Sequence, residues 1–254
     1  MINKIKYSSL KFIIYFLVGA SLHACNTVVN KEVVSQDTYL KDICVDLVEV
    51  WPNNKTINLV FHGHSVPTGF FETPQVNTLK AYPFKVLVGL KKKFPNAVIN
   101  IITTSKGGEN SEEGAKRFSN EVLNHHPDVL FIDYALNDMG IGLEKANAAW
   151  QEMVSKALRE NIKVILLTPT PDQNINILEP DNELEKHQKQ IIRIAKENGV
   201  GLIDSYNVFK KKVVNGDSLA AYMSYINHPN ENGHELVADE ILKYFNCNQA
   251  GLTP

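Results

Sequence analysis

The chain has 254 residues, with 26 Lys or Arg against 28 Asp or Glu, a net charge of −2 and 44% hydrophobic content. It carries no basic stripe and no interleaving of basic with aromatic residues, so nucleic acid is not an expected partner. The length is enough for one sizeable core in a single α/β domain, and no internal repeat or low-complexity tract divides it.

Lys4, Lys6 and Lys11 precede an apolar run over 12–22, followed by Leu22-His23-Ala24-Cys25. Charged, apolar and small residues in that order describe a secretory signal. The run is shorter than the roughly 20 residues of a transmembrane helix. Cysteine directly after a small residue resembles a bacterial lipobox, with His23 an unusual occupant of its position. The expectation is a lipoprotein signal peptide over 1–24, acylation of Cys25, and an exported protein held at the cell envelope by that lipid. An ordinary signal peptide with a chance cysteine is the alternative. Residues 25–40 are expected to be a polar tether, and 41–250 the globular domain.

Ile43, Val45 and Leu47 alternate with Asp42 and Asp46, predicting a strand. Its phase slips by one residue at Val48 and Val50, as a bulged edge strand would. Short apolar runs over 57–61, 97–103, 128–134, 163–168 and 200–204 predict five further strands. Helical spacing separates them over 78–94, 111–125, 144–161 and 182–198, and a last helix is expected over 232–245. The triple lysine Lys91-Lys92-Lys93 reads as a solvated helix end. Strands alternating with helices imply an α/β fold, a three-layer α/β/α sandwich on a mainly parallel, flavodoxin-like five-stranded sheet. Right-handed crossovers then gather the carboxyl ends of the strands along one edge. Export permits a disulfide, and Cys44 with Cys247 could tie the first ordered strand to the last helix. Two separate thiols fit the sequence equally well.

Four segments fall at or near that edge: His62-Gly63-His64-Ser65, Ser105 through the Gly107-Gly108-Glu109-Asn110 turn, Ala135-Leu136-Asn137-Asp138, and Asn227-His228-Pro229-Asn230. Each is short and unspecific alone. Ser65 could cap a turn, Asn137-Asp138 could be turn chemistry, and His228 could precede a helix cap. His62 and His64 alternate as metal ligands on a strand can, but His125-His126 precedes a strand and so belongs at the opposite edge. No metal and no cofactor is expected.

In this order and placement the four segments resemble the blocks of the SGNH (GDSL-type) hydrolase family, over about 57–245. The family's Gly-Asp-Ser block is similar to Gly63-His64-Ser65, and its glycine block to Gly107-Gly108-Glu109-Asn110. Its Gly-x-Asn-Asp block resembles Ala135-Leu136-Asn137-Asp138, and its Asp-x-x-His-Pro block resembles Tyr225-Ile226-Asn227-His228-Pro229. The resemblance implies ester hydrolysis, with Ser65 as nucleophile and His228 as its base. It assigns the oxyanion hole to the N–H groups of Ser65 and Gly108 and the Asn137 amide.

Three positions depart from the family. His64 replaces an aspartate and Ala135 a glycine, which read as local packing adjustments. Tyr225 stands where the family has the aspartate that orients the histidine. Without that aspartate, His228 could use a backbone carbonyl, the Asn227 amide or a carboxylate from elsewhere such as Glu231; the expectation is a Ser65–His228 dyad with a non-carboxylate orienter. His64, Asp138, Thr170 and Asp172 are candidates to line the substrate, although the Thr168-Pro169-Thr170-Pro171 loop could equally be a rigid surface loop. The expected substrate is a small-molecule or carbohydrate ester, by family analogy O-acetyl groups on carbohydrate. The competing reading is a catalytically silent binding module that holds a glycan or acyl group in the Ser65 cleft.

Overall fold

The structure, a computed structural model, describes residues 32–247. The expected leader over 1–24, the acylated Cys25 and the start of the tether lie outside the described residues. Two short helices, α1 (Gln36–Tyr39) and α2 (Lys41–Val48), come first. Residues 36–40, read as tether, belong to the fold: Leu40 is buried, and Tyr39 Oη exchanges hydrogen bonds with the backbone of Val164.

The strand predicted around Ile43 is a helix. Leu40, Ile43, Cys44 and Leu47 are buried together, whereas Val45 is exposed. That i, i+3, i+4, i+7 stripe is helical. The apparent phase slip at Val48 was the helical period, and no bulge is needed.

The sheet comprises β1 (Thr56–Gly63), β2 (Val98–Thr103), β3 (Val129–Asp133), β4 (Lys163–Leu167) and β5 (Gly201–Ile203). All neighbouring pairs are parallel, in the order β2-β1-β3-β4-β5. This is the expected flavodoxin-like order, whose reversal lies beside β1. Alternation along β1 feeds both layers. Ile57, Leu59 and Phe61 pack with α2, with α4 (Tyr82–Lys93) and with Tyr206 and Phe209. Val60 faces the other way, toward Ala115, Phe118, Trp150 and Ile191. Because β2 is an edge strand, Val98 remains exposed.

The remaining helices are α3 (Ser65–Thr68), α5 (Ser111–Glu121), α6 (Leu143–Arg159), α7 (Glu183–Asn198), α8 (Ser205–Val214) and α9 (Glu231–Lys243). The helix predicted over 78–94 begins later: residues Thr78–Lys80 form a 3₁₀ turn, and Pro83 in the first turn of α4 suits a helix start. Sequence reading missed α8. Its signals were present, with Asp204 accepting the Asn207 N–H as N-cap and Tyr206 and Phe209 buried three residues apart.

Cys44 and Cys247 form a disulfide, which ties helix α2, rather than a strand, to the segment just after α9. The bridge spans 203 residues of sequence. A loop that long restricts the unfolded chain strongly, so the bond should contribute about 2–5 kcal/mol. Urea unfolding with and without reductant checks this. The wild-type midpoint should fall on reduction, and that of the Cys44→Ser/Cys247→Ser pair should not respond.

Candidate active site

Gly63 ends β1 beside the end of β3. A Cβ there would lie 2.4 Å from the Asp133 carbonyl oxygen, which itself accepts the His64 N–H. Only glycine allows that approach. The chain then turns into α3, placing Ser65 at its first residue and at the carboxyl edge of the sheet.

His228 reaches Ser65 from a loop before α9. Its Nε2 lies 3.0 Å from Ser65 Oγ, and its Nδ1 lies 2.7 Å from the Phe71 carbonyl oxygen. A carbonyl can only accept, so Nδ1 carries the proton and Nε2 presents a lone pair to the serine. Ser65 is 7% exposed and His228 8% exposed, so both are sheltered yet reachable. The orienting group is thus a backbone carbonyl, the first of the alternatives left by Tyr225. Glu231 is engaged elsewhere, in ion pairs with Lys80 and Lys85. Tyr225 lays its ring beside the imidazole, with centroids 6.2 Å apart.

Two loops fix that geometry. The Phe71 N–H donates to Gln75, and Phe70 bridges Val76, so the carbonyl belongs to a closed turn. On the other side, the His228 carbonyl accepts the Ser224 N–H and hydroxyl. Gln173, from the loop after β4, bonds the carbonyls of Tyr225 and Ile226. Asn230 caps α9, which begins at Glu231, three residues after the histidine.

Burial lowers the His228 pKa below the ordinary imidazole value of about 6.5; the Phe71 carbonyl opposes this in part, and nearby His64 adds to it.

The glycine turn sits across from this pair. Gly108 has φ +79°, and a Cβ there would meet nothing within 4 Å, so the glycine serves backbone conformation rather than crowding. Among the described residues, no backbone acceptor engages the N–H of Ser65 or of Gly108. Asn137 opens a 3₁₀ turn after β3, and its Nδ2 donates to the Glu109 carbonyl at 2.8 Å. One amide N–H therefore anchors the side chain to the glycine turn and leaves the second for a ligand.

A buried polar network fixes the same turn from beneath. Glu109 pairs with Arg117 and accepts the Tyr134 hydroxyl at 2.7 Å. Tyr134 in turn meets His62 Nε2 at 3.1 Å, and His62 Nδ1 meets Thr104 Oγ1 at 2.9 Å. His62 is therefore a satisfied polar residue of the second core. Burial, with the Arg117 charge added, lowers its pKa to about 3, so it stays neutral. Residues His125 and His126 lie at the opposite edge, where their carbonyls accept the Asn58 amide. Sequence reading did not single out Glu109, Arg117 or Tyr134 as a network. Their joint role emerges only when α5 meets Tyr134, the residue that follows β3.

Four residues expected to line the substrate fare differently. Asp138 is fully buried, accepting the Ser111 N–H at 2.8 Å and the Trp150 indole N–H at 2.6 Å. It braces α5 and α6 and does not line a cleft. Burial raises its pKa against those two donors. His64 is also fully buried, beneath Ser65 rather than facing substrate. Thr170 is 1% exposed, and Asp172 accepts the Asn174 N–H within its own turn.

A protein-family model described as the GDSL-like Lipase/Acylhydrolase family matches residues 61–236. The chain belongs to this family. The family is one of lipases and acylhydrolases, and the fold is shared with solved esterases. Among solved structures, a two-domain esterase active on acetylated mannans is similar at TM-score 0.68 and 23% identity, over 82% of this chain and 52% of that one. The chain thus spans about half of that esterase. An acetylxylan esterase from Geobacillus stearothermophilus matches at TM-score 0.66 and 20% identity, over 75% of this chain and 94% of that one. An α/β hydrolase from the metagenome of Lake Arreo, Spain, matches at 0.65 and 20%, over 75% and 95%. At such identities the likeness is one of fold. No match was found among curated proteins.

Proposed function

We propose that the chain is a serine esterase that removes acetyl or similarly small acyl groups from carbohydrate, with Ser65 as nucleophile and His228 as base. The observation that carries this reading is the 3.0 Å approach of His228 Nε2 to Ser65 Oγ, with Nδ1 committed to Phe71. The carbohydrate part is supported by the acetylmannan- and acetylxylan-active esterases that share the fold.

Each step uses groups already in place. As Oγ attacks the ester carbonyl, its proton passes to His228 Nε2. The oxyanion is met by the N–H groups of Ser65 and Gly108 and the free N–H of Asn137. The tetrahedral intermediate expels the alcohol, which takes the proton back from Nε2, leaving an acyl-serine. Water, deprotonated by the same nitrogen, attacks that ester, and Ser65 Oγ leaves with the proton returned from Nε2, which releases the acid. The imidazolium formed in passing is stabilised by the Phe71 carbonyl dipole, which is weaker than a carboxylate charge.

A fluorophosphonate probe and acetate release from acetylated xylan and mannan test the assignment together. Wild type should be labelled and should turn over, whereas Ser65→Ala should do neither. Unchanged turnover in Ser65→Ala removes the serine mechanism. Glycan binding without labelling or turnover makes the protein a silent binding module.

The pH profile tests His228 as base. The base acts only when neutral, so activity is complete above its pKa and is lost as pH falls through it. Because burial lowers that pKa, the acid limb of kcat/KM, which reports the free enzyme, should have its midpoint below about 6.5. A midpoint above that value contradicts an imidazole lacking a carboxylate partner.

The lysine-flanked apolar run and Cys25 support a further part of the reading, an exported enzyme anchored through an acylated cysteine. Incorporation of labelled fatty acid in the host, lost in Cys25→Ala, checks it.

A further inference from the structure

Ser65 has a second imidazole beside it, on the buried side. His64 Nδ1 lies 3.5 Å from Ser65 Oγ and accepts the Val66 N–H at 3.3 Å. A ring nitrogen that accepts an N–H carries no proton, so the proton of neutral His64 is on Nε2. That atom lies 3.4 Å from Asp133 Oδ1, and among the described residues neither atom has a hydrogen-bond partner. The pair does not reach hydrogen-bond geometry, but a buried carboxylate at that distance attracts an N–H electrostatically, which favours the proton on Nε2. The other oxygen of Asp133 accepts the Tyr82 hydroxyl at 3.0 Å. Asp133 is thereby held at the end of β3, and its carbonyl holds the His64 N–H.

We infer that Asp133 and His64 are positioning residues for the nucleophile, an inference that rests on Ser65 being the nucleophile. Asp133 fixes the His64 tautomer, and the bare Nδ1 holds the Val66 N–H that sets the turn at Ser65. The opposite tautomer would aim an N–H at the Val66 N–H. It would also donate to Ser65 Oγ, occupying a lone pair needed for attack. His64 is 0% exposed and cannot return a proton to a leaving group, so it does not replace His228 as the base. The pair also accounts for histidine at the position where the resembling family carries aspartate. An aspartate there would set a second carboxylate against Asp133, whereas an imidazole accepts the Val66 N–H and turns an N–H rather than an anion toward the side of Asp133.

Asp133→Leu removes the group that selects the tautomer. Its kcat and its rate of fluorophosphonate labelling should both fall about tenfold or more, with KM nearly unchanged. Adding His64→Asn should restore much of both rates, because an amide oxygen accepts the Val66 N–H without a tautomer to select. A merely structural role for Asp133 would not be rescued by that change. Full activity in folded Asp133→Leu, or no rescue in a folded double variant, overturns the inference. If Asp133→Leu does not fold, His64→Asn and His64→Leu decide: the first should stay within about threefold of wild type and the second lose about tenfold. Equal rates overturn it. Failure of the underlying reading is separately visible, as absent labelling of wild type or undiminished turnover in Ser65→Ala.

Discussion

The approach of β1 to β3 at Gly63 sets the spacing at the carboxyl edge. With no side chain between the strands, the Asp133 carbonyl reaches the His64 N–H, and the Gly63 carbonyl accepts the Lys106 N–H. The serine segment, the end of β3 and the start of the glycine turn are therefore joined through backbone. A parallel sheet supplies the rest, because every strand delivers its following loop to the same side. Residues separated by as many as 163 positions can meet, as Ser65 and His228 do.

Around that frame the site divides by dielectric. The serine and histidine are slightly exposed, while His64, Asp133 and Asp138 beside them are at 2% or less. The Glu109–Arg117–Tyr134 network and the Asp138 contacts hold the glycine turn and the loop that carries Asn137. Paired charges there are costly to separate, because either partner alone would be a buried ion. The glycine turn and Asn137 are thus held by groups that touch no substrate.

Much of this was legible in the chain. Runs such as 128–134 and 163–168 are apolar along their length and contain little else, so strand type followed directly. The four blocks, each at a strand end or helix start, singled out Ser65, Gly108, Asn137 and His228, and the fold brings Ser65 and His228 within 3.0 Å. The N-terminal helices were harder, because Ile43, Val45 and Leu47 alternate like a strand until Leu40 and Cys44 are counted with them. His64 and Asp138 looked like cleft residues because polar side chains at a strand end commonly face solvent. Their burial depends on partners far along the chain, such as Trp150 for Asp138, which no local pattern announces. The orienter of His228 was narrowed to a class, a non-carboxylate group, but which group filled it required the fold of the Phe70–Val76 turn.

That carbonyl has a consequence for how the site would be dissected. A carboxylate orienter can be deleted by one substitution, and its loss would register in any alanine scan. The Phe71 oxygen belongs to the main chain and survives every side-chain replacement at that position. Scanning mutagenesis would therefore assign the imidazole no orienting partner at all. Its contribution would surface only through backbone chemistry, such as ester or thioamide replacement of that one linkage, or indirectly through changes that reshape the turn.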